Sequence, residues 1–432
     1  MQTRTFLAPF LCAALFLGGC NRNSATNSGA SGSSNSPNEL SIISAHPRNI
    51  QVEFERIFEE KYPQAQIKWV SPGASTDILA FVLGQYQNKA KTEGIGIDVY
   101  FGGGDAAFLE MEKAGLLASL PSDYGVPADL GGVPLRGAQN RWVAAALSGF
   151  GIFYNKGIAA RDKLPVPQTW ADMANPKLRN RIALADPRHS GSAHMAYEVI
   201  LQTNGWDKGW QILTGMAGNA RTFSTSSSGI TNDVASGEAV VAPAIDFFAA
   251  GKIASAGGDK LGYVEPKGQS VVTPDPIGIL RGAPHLDMAQ KFVALVMSPV
   301  GQKLWMFKKG VPGGPTGDAL GRKAALPAVY QPLSPSSVIR QNPYAAQGLF
   351  KFDARRAALR HRALNDLLGA VLIDNQDAIK VRWAKTPDAA RLAFVPVKEA
   401  ELTQLGTKWN DQAFRNATVE KWKSAARVHF RS

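Results

Sequence analysis

The sequence predicts an α/β protein, and three observations lead there. Short β-branched apolar runs alternate with segments whose apolar residues recur at three- and four-residue intervals, the pattern of strand–helix–strand units on a largely parallel sheet. Two further segments, 143–154 and 261–279, are apolar, β-rich and read as strands crossing the body. The hydrophobic share of 45% against 19% charged residues suffices for sizeable cores in 432 residues, and is too poor in charge for a coiled coil. That length fits one to three domains.

Taken in order, Leu40 to Ala45 is a strand that stops at His46-Pro47. Gln51 to Lys61 is a helix with Phe54, Ile57 and Phe58 on one face, followed by a strand at Gln66 to Val70 and a helix at Thr76 to Asn88. Ile95 to Phe101 is a strand running into Gly102-Gly103-Gly104, and Asp105 to Gly115 is helical again. After the crossing strand, Trp170 to Ala174 is a short helix and Ile182 to Ala185 a strand ending at Asp186-Pro187. Ser192 to Thr203 and Trp206 to Met216 are helices. Arg221 to Phe223 is a strand, Ile230 to Ser236 a helix, Ala239 to Ile245 a strand and Met288 to Met297 a helix. Residues 318–432 read as mostly helical and basic, broken by prolines between Pro327 and Pro343.

The start of the chain reads as an export segment. Arg4 precedes an apolar run from Phe6 to Leu17 that is too short to span a bilayer. The run ends in Leu17-Gly18-Gly19-Cys20, which resembles a bacterial lipobox and implies cleavage before Cys20 and a lipid on its sulfur. Residues 1–19 are then a signal peptide, and 20–39 are the lipidated cysteine and a flexible Asn-Ser-Gly tether. Plain secretion is the alternative. With Cys12 removed and Cys20 acylated, no disulfide can form. The body is expected on the periplasmic or extracellular face of the membrane, held there by its anchor.

The order of small motifs resembles the type 2 periplasmic solute-binding fold, in the group around ferric-binding and sugar-phosphate-binding proteins of bacterial ABC transporters. The motifs are His46 at the end of the first strand, Ile97-Asp98-Val99-Tyr100-Phe101 before the triple glycine, Phe153-Tyr154-Asn155, Thr169-Trp170-Ala171-Asp172, Asp186-Pro187 with Ser190-Gly191-Ser192, Ala235-Ser236-Gly237-Glu238, Gly282-Ala283-Pro284 and Ser298-Pro299-Val300-Gly301-Gln302. The resemblance covers residues 40 to about 310. It implies a two-lobed α/β body with a mostly helical C-terminal extension: lobe 1 from 40–145 plus about 270–310, lobe 2 from 146–269, and a basic extension at 311–432. It further implies a ligand between the lobes, an ABC permease as partner, and a monomer.

The residues expected at that cleft have physical readings of their own. Gly102, Gly103 and Gly104 leave backbone amides open to an anion, or simply make a tight turn. Ser75-Thr76, Ser190-Gly191-Ser192 and Ser226-Ser227-Ser228 each open a helix, where free amides and a partial positive charge attract anions; ordinary capping is the alternative. His46 is a candidate polar contact. In ferric-binding relatives a His, a Glu and two adjacent Tyr hold the metal. The resemblance puts Gly103 or Gly104 at the Glu position and Phe247-Phe248 at the Tyr pair, so bare ferric iron is disfavoured and no metal or cofactor is expected. Asp246 is expected to accept from a ligand hydroxyl or amine, or to pair with an Arg, with Phe247 packing on an apolar or sugar face.

Other classes fit less well. No Gly-x-Ser-x-Gly elbow, His-Glu-x-x-His helix or Walker loop supports an enzyme such as a lipid-anchored surface hydrolase. The net charge of +12 arises wholly after residue 299, where no nucleic-acid-binding module is recognisable; a solvated basic face is the plainer reading. The expected solute is therefore small and anionic, phosphorylated or carboxylated, and nucleic acid is not expected. The anchor is testable: Cys20→Ser should leave the protein unprocessed or soluble, and unchanged fractionation and mass would refute the lipobox.

Overall fold

The computed structural model describes residues 38–431 apart from 74, 333 and 346–349; the export segment, Cys20 and the tether up to residue 37 lie outside the described residues. The strands are β1 (Glu39–Ser44), β2 (Gln66–Val70), β3 (Val99–Phe101), β4 (Asp129–Leu130), β5 (Val133–Pro134), β6 (Val143–Asn155), β7 (Ile182–Ala185), β8 (Ala220–Ser224), β9 (Val241–Ile245), β10 (Leu261–Val264), β11 (Val272–Ile279) and β12 (Lys323–Ala324). They run β2-β1-β3-β11-β6-β9-β7-β8 in space, with β10 and β12 also on β6 and β4–β5 a separate ribbon. β1 is parallel to β2 and β3, and β7 to β8 and β9, as strand–helix alternation requires. β6 is antiparallel to all its neighbours. Its first half pairs with β11 and its second half, from Phe150, with β9 and β10.

Two main hydrophobic cores form on either side of that change of partner. In the first, the helix Arg48–Lys61 begins after Pro47, whose φ of −65° suits a helix entry, and buries Ile50, Phe54 and Phe58 at four-residue spacing. Phe54 meets Trp305 at a ring separation of 4.6 Å, and Phe58 meets Phe292 at 5.3 Å. The second core gathers Ile182, Leu184, Ile200, Leu213 and Met216. It also takes in Leu364, Leu367, Trp383 and Trp422 from the C-terminal helices.

Three expectations change in detail. The strand expected at 95–101 is confined to Val99–Phe101, because the buried Asp98 turns back to accept from the amides of Ser41 and His285. The crossing segment 261–279 divides into β10 and β11 around a turn closed by Gln269 donating to the Pro266 carbonyl. Residues 311–432 do not stand apart as an extension. β12 joins the first half of β6, and the helix Ala354–Leu368 packs on the second core through its apolar face. Nor are its charges simply a solvated face. Arg322 and Arg360 are fully buried, and Arg360 makes a two-pronged pair with buried Glu198 at 2.7 and 3.1 Å.

That pair joins the C-terminal helix to the helix Gly191–Asn204. Removing one partner of a buried pair strands the other charge and costs about 3–5 kcal/mol. Arg360→Ala should lower the urea unfolding free energy by that order. A loss below about 1 kcal/mol would mean that the C-terminal helices contribute little to the body.

Candidate functional site

A cavity of about 190 Å³ lies between the two cores. Its floor is the end of β1, the triple glycine after β3, and Thr273, Pro274 and Asp275 of β11; its facing wall is the start of the helix Gly191–Asn204 and Phe247-Phe248. Gly102, Gly103 and Gly104 all have positive φ, +84°, +98° and +81°, so the turn that delivers the chain to the helix Asp105–Lys113 needs glycine. A Cβ on Gly102 would fall 2.6 Å from His46 Nε2, and one on Gly103 2.4 Å from the Tyr100 hydroxyl. The absence of side chains is therefore demanded by close packing as well as by backbone angle.

Beneath this floor Arg322 organises the charges. It donates to the Ser148 hydroxyl at 2.8 Å, pairs with Asp275, lies 3.3 Å from His46 Nδ1 and sits 4.1 Å below the Phe247 ring. A guanidinium only donates, so His46 Nδ1 accepts and Nε2 carries the proton of the neutral ring. Burial pushes the His46 imidazole down to about 4; Asp275 pulls it up and Arg322 adds to the fall. Nε2 is buried and has no partner. Burial opposes ionisation of Asp275, but Arg322, His46 and the Gly104 amide outweigh it and hold the carboxyl at about 2. Asp105 is raised to about 6, chiefly by burial, against the amides of its own residue and Ala106.

The facing wall carries hydroxyls. Ser227 bridges Ser190 at 2.6 Å and Ser192 at 2.7 Å, which ties together the starts of two helices, Gly191–Asn204 and Ser227–Ser236. Ser190 caps the first through the Ala193 amide and Ser226 caps the second through the Gly229 amide. His194 and His361 line the same wall, with ring centroids 3.9 Å apart. Burial holds His194 at about 4 and His361 well below its ordinary value.

The expected site residues divide as follows. His46, Ser75, Gly103, Gly104, Gly191, Ser192 and Phe247 line the cavity. Gly102 lies behind His46, and the Thr76 side chain is outside the described residues. Ser190 and Ser227 stand behind the wall as supports. Ser226 and exposed Ser228 are occupied in the cap and do not line it. Asp246 does not face a ligand. It pairs with Lys323, which also holds Glu265 at 2.9 Å, and it accepts from the Gly149 amide at 2.8 Å in the middle of β6. A ligand hydroxyl or amine, or an arginine, was the expected partner; Lys323 and the Gly149 amide are the partners seen. Sequence reasoning missed Ser148, His194, Asp275, Arg322, Lys323 and His361. The adjacent cations at 322–323 just after Gly321 were the available signal, hidden within a segment read as a solvated basic face.

Two predictions follow from this arrangement. His46, His194 and His361 bind protons more weakly folded than unfolded, so the unfolded chain is protonated first as pH falls below 6.5. Stability should be lost between about pH 6.5 and 4, by on the order of 3 kcal/mol each for His46 and His194. Asp105, whose folded value is raised, offsets part of this below about pH 6. Urea unfolding at pH 7.5 and 5 measures it, and a gain of stability on acidification would refute it. Second, the Phe247-Phe248 pair above Arg322 offers no phenolate and sits over a fixed cation. Ferric salt should therefore produce no visible charge-transfer band, and a coloured stoichiometric complex would contradict this.

Comparison with known proteins supports the architecture. A curated relative, the phosphoglycerate transport regulatory protein PgtC of Salmonella typhimurium, is 32% identical over 201 residues, 45% of this chain. The match spans about half of that relative's length, 47%. Among solved structures, the fructose-6-phosphate-bound periplasmic binding protein AfuA of Actinobacillus pleuropneumoniae superposes with a TM-score of 0.59 at 20% identity, covering 80% of this chain and 98% of that one. Iron-bound HitA of Pseudomonas aeruginosa gives 0.57 at 18% identity, covering 76% and 99%. These likenesses show the type 2 periplasmic binding fold. The family described as bacterial extracellular solute-binding protein matches residues 104–328, just over half of the chain, and the chain belongs to that family.

Proposed function

We propose that this protein captures a small phosphorylated or carboxylated solute outside the cytoplasmic membrane and hands it to an ABC permease. The observation that carries the reading is the opposition of two helix starts, Asp105–Lys113 and Gly191–Asn204, across one cavity between the lobes. The Gly191–Asn204 start brings its partial positive charge and the Ser192 hydroxyl to the cavity, while the amides at the other start are held by Asp275 and Asp105. Two carboxylates line the cavity: Asp275 is offset by Arg322, and Asp105 accepts from the amides of its own residue and Ala106. About 190 Å³ is below the roughly 300–1,000 Å³ of sites for drug-sized ligands and suits a metabolite of a few carbons. The names of the Salmonella relative and of AfuA's bound sugar phosphate point the same way.

On this reading the site residues are His46, Ser75, Thr76, Gly103, Gly104, Gly191, Ser192 and Phe247, with Ser190 and Ser227 holding the wall in place. Lobe closure around β6 creates the form that a permease recognises, and the lipid on Cys20 with the tether at 21–39 keeps a monomeric body near the membrane. No catalytic step is assigned.

Mass spectrometry of solute released from denatured protein identifies the class directly, and titration calorimetry with phosphoglycerate and fructose 6-phosphate measures it. A hydrogen bond to a charged partner contributes about 1.5–3 kcal/mol, so Ser192→Ala should weaken binding roughly 10- to 150-fold. Asp246→Asn should not strengthen it, because Lys323 already offsets that charge. Anion binding that is unmoved by Ser192→Ala, or improved by Asp246→Asn, would place the site elsewhere.

A further inference from the structure

The wall of the cavity holds an imidazole pair that the reading above does not use. His194 lies in the first turn of the helix Gly191–Asn204 and is 2% exposed. His361 comes from the helix Ala354–Leu368, outside the residues 104–328 that match the family. Asn365 stands between them. Its Oδ1 is 2.6 Å from His194 Nδ1, and its Nδ2 is 3.5 Å from His361 Nε2. An amide oxygen only accepts, so His194 Nδ1 carries the proton of the neutral ring. His194 Nε2 is then a bare lone pair, with no hydrogen bond to the protein. As it stands this atom cannot donate to an anion. One added proton, held between the two rings at their 3.9 Å separation, makes the pair a charged donor on the wall that Gly191 and Ser192 also line.

The surroundings keep that proton away until an anion arrives. Burial is the chief cause for both rings. At His194 the hydrogen bond to Asn365 favours protonation and Arg360 opposes it; at His361, His194 and Arg362 oppose it and Glu198 favours it. Glu198 is already committed to Arg360. Across the cavity stand His46, which is neutral, Asp275, which is paired with Arg322, and Asp105, whose carboxyl is raised to about 6 and is ionised at neutral pH. The pair is thus uncharged in the free protein at neutral pH, inside a cavity that favours negative charge at its helix starts.

We propose that His194 and His361 form a solute-contacting pair that takes up one proton from solvent as an anionic solute enters the cleft, so that solute and proton are bound together. The inference rests on the reading of the cleft as an anion site. It deepens that reading by giving the C-terminal segment a part in recognition. Charge balances: the bound solute gains a cationic N–H donor, and the solvent supplies the proton. Affinity for a fully ionised solute should therefore rise as pH falls from about 8 toward 6.5.

The test is titration calorimetry of the full mature protein with phosphoglycerate at pH 7.5, in buffers of differing ionisation enthalpy. The slope of heat against buffer enthalpy counts protons. Uptake approaching one proton per bound solute is expected in the wild type, with most of it lost in His361→Gln and in His194→Gln. Ser192→Ala should bind more weakly and keep the uptake, which separates a damaged cleft from a missing proton acceptor. Phosphorus NMR of the bound solute should show it still dianionic, which places the proton on the protein. Binding without uptake, or uptake that persists in His361→Gln, overturns the pair while leaving the anion site standing. Absence of binding to any of phosphoglycerate, fructose 6-phosphate and inorganic phosphate overturns both. His361→Gln keeps the test sharp if His194→Gln fails to fold.

Discussion

The exchange of partners along β6 governs the rest of the molecule. Up to Gly149 the strand is laddered to β11 and β12, and from Phe150 to β9 and β10. Each core therefore owns half of one continuous strand, and the cavity lies where ownership changes. A Cβ on Gly149 would fall 2.7 Å from Glu265 Oε1 and 3.0 Å from Lys323 Nζ. The bare backbone at this point lets Lys323, Asp246 and Glu265 gather against it, with Asp246 accepting from the Gly149 amide. The changeover is thus held by charge pairs as well as by the packing of Leu147 and Phe150 on either side of it. Ion pairs can shift by a fraction of an ångström with less penalty than a close-packed core, so a strand junction of this kind suits a body that opens and closes.

Arg322 immediately precedes β12 and Lys323 is its first residue, yet they serve opposite sides of this junction. Arg322 turns toward the cavity floor, to Ser148, Asp275 and His46; Lys323 turns toward Asp246 and Glu265. That division puts two adjacent cations on two separate sets of carboxylates, Asp275 for the first and Asp246 with Glu265 for the second. It ties the electrostatics of the floor to the position of β12, and hence to the chain that follows the family-matched region.

Much of the body was legible in the sequence because it rests on local patterns. The face of the helix Arg48–Lys61, the strand ending at His46 and the triple glycine were all readable from spacing. The cleft was legible only in part. Ser192 and Gly191 are where a helix start would put them, but Ser226 and Ser228 look the same in sequence and serve a cap instead. Nothing local separates a capping serine from a ligand-facing one. Arg322, Asp275 and His361 reach the site across separations that no periodicity encodes, because a buried ion pair is specified by tertiary position and not by neighbours in the chain.

The distribution of unsatisfied polar atoms carries the argument one step further. His46 Nε2, the Tyr100 hydroxyl, Asp246 Oδ1 and Arg322 Nε are buried without partners, and all four residues belong to the cavity floor or to the charge cluster at β6. Each such atom costs about 1–3 kcal/mol relative to a satisfied one. Others lie in the second core, at Trp206, Trp210 and Thr214, so the cost is spread through the body and is not confined to the junction. What sets the junction apart is position: His46 Nε2, Asp246 Oδ1 and Arg322 Nε lie where the two cores share β6, so a shift of one core against the other changes the surroundings of these atoms first.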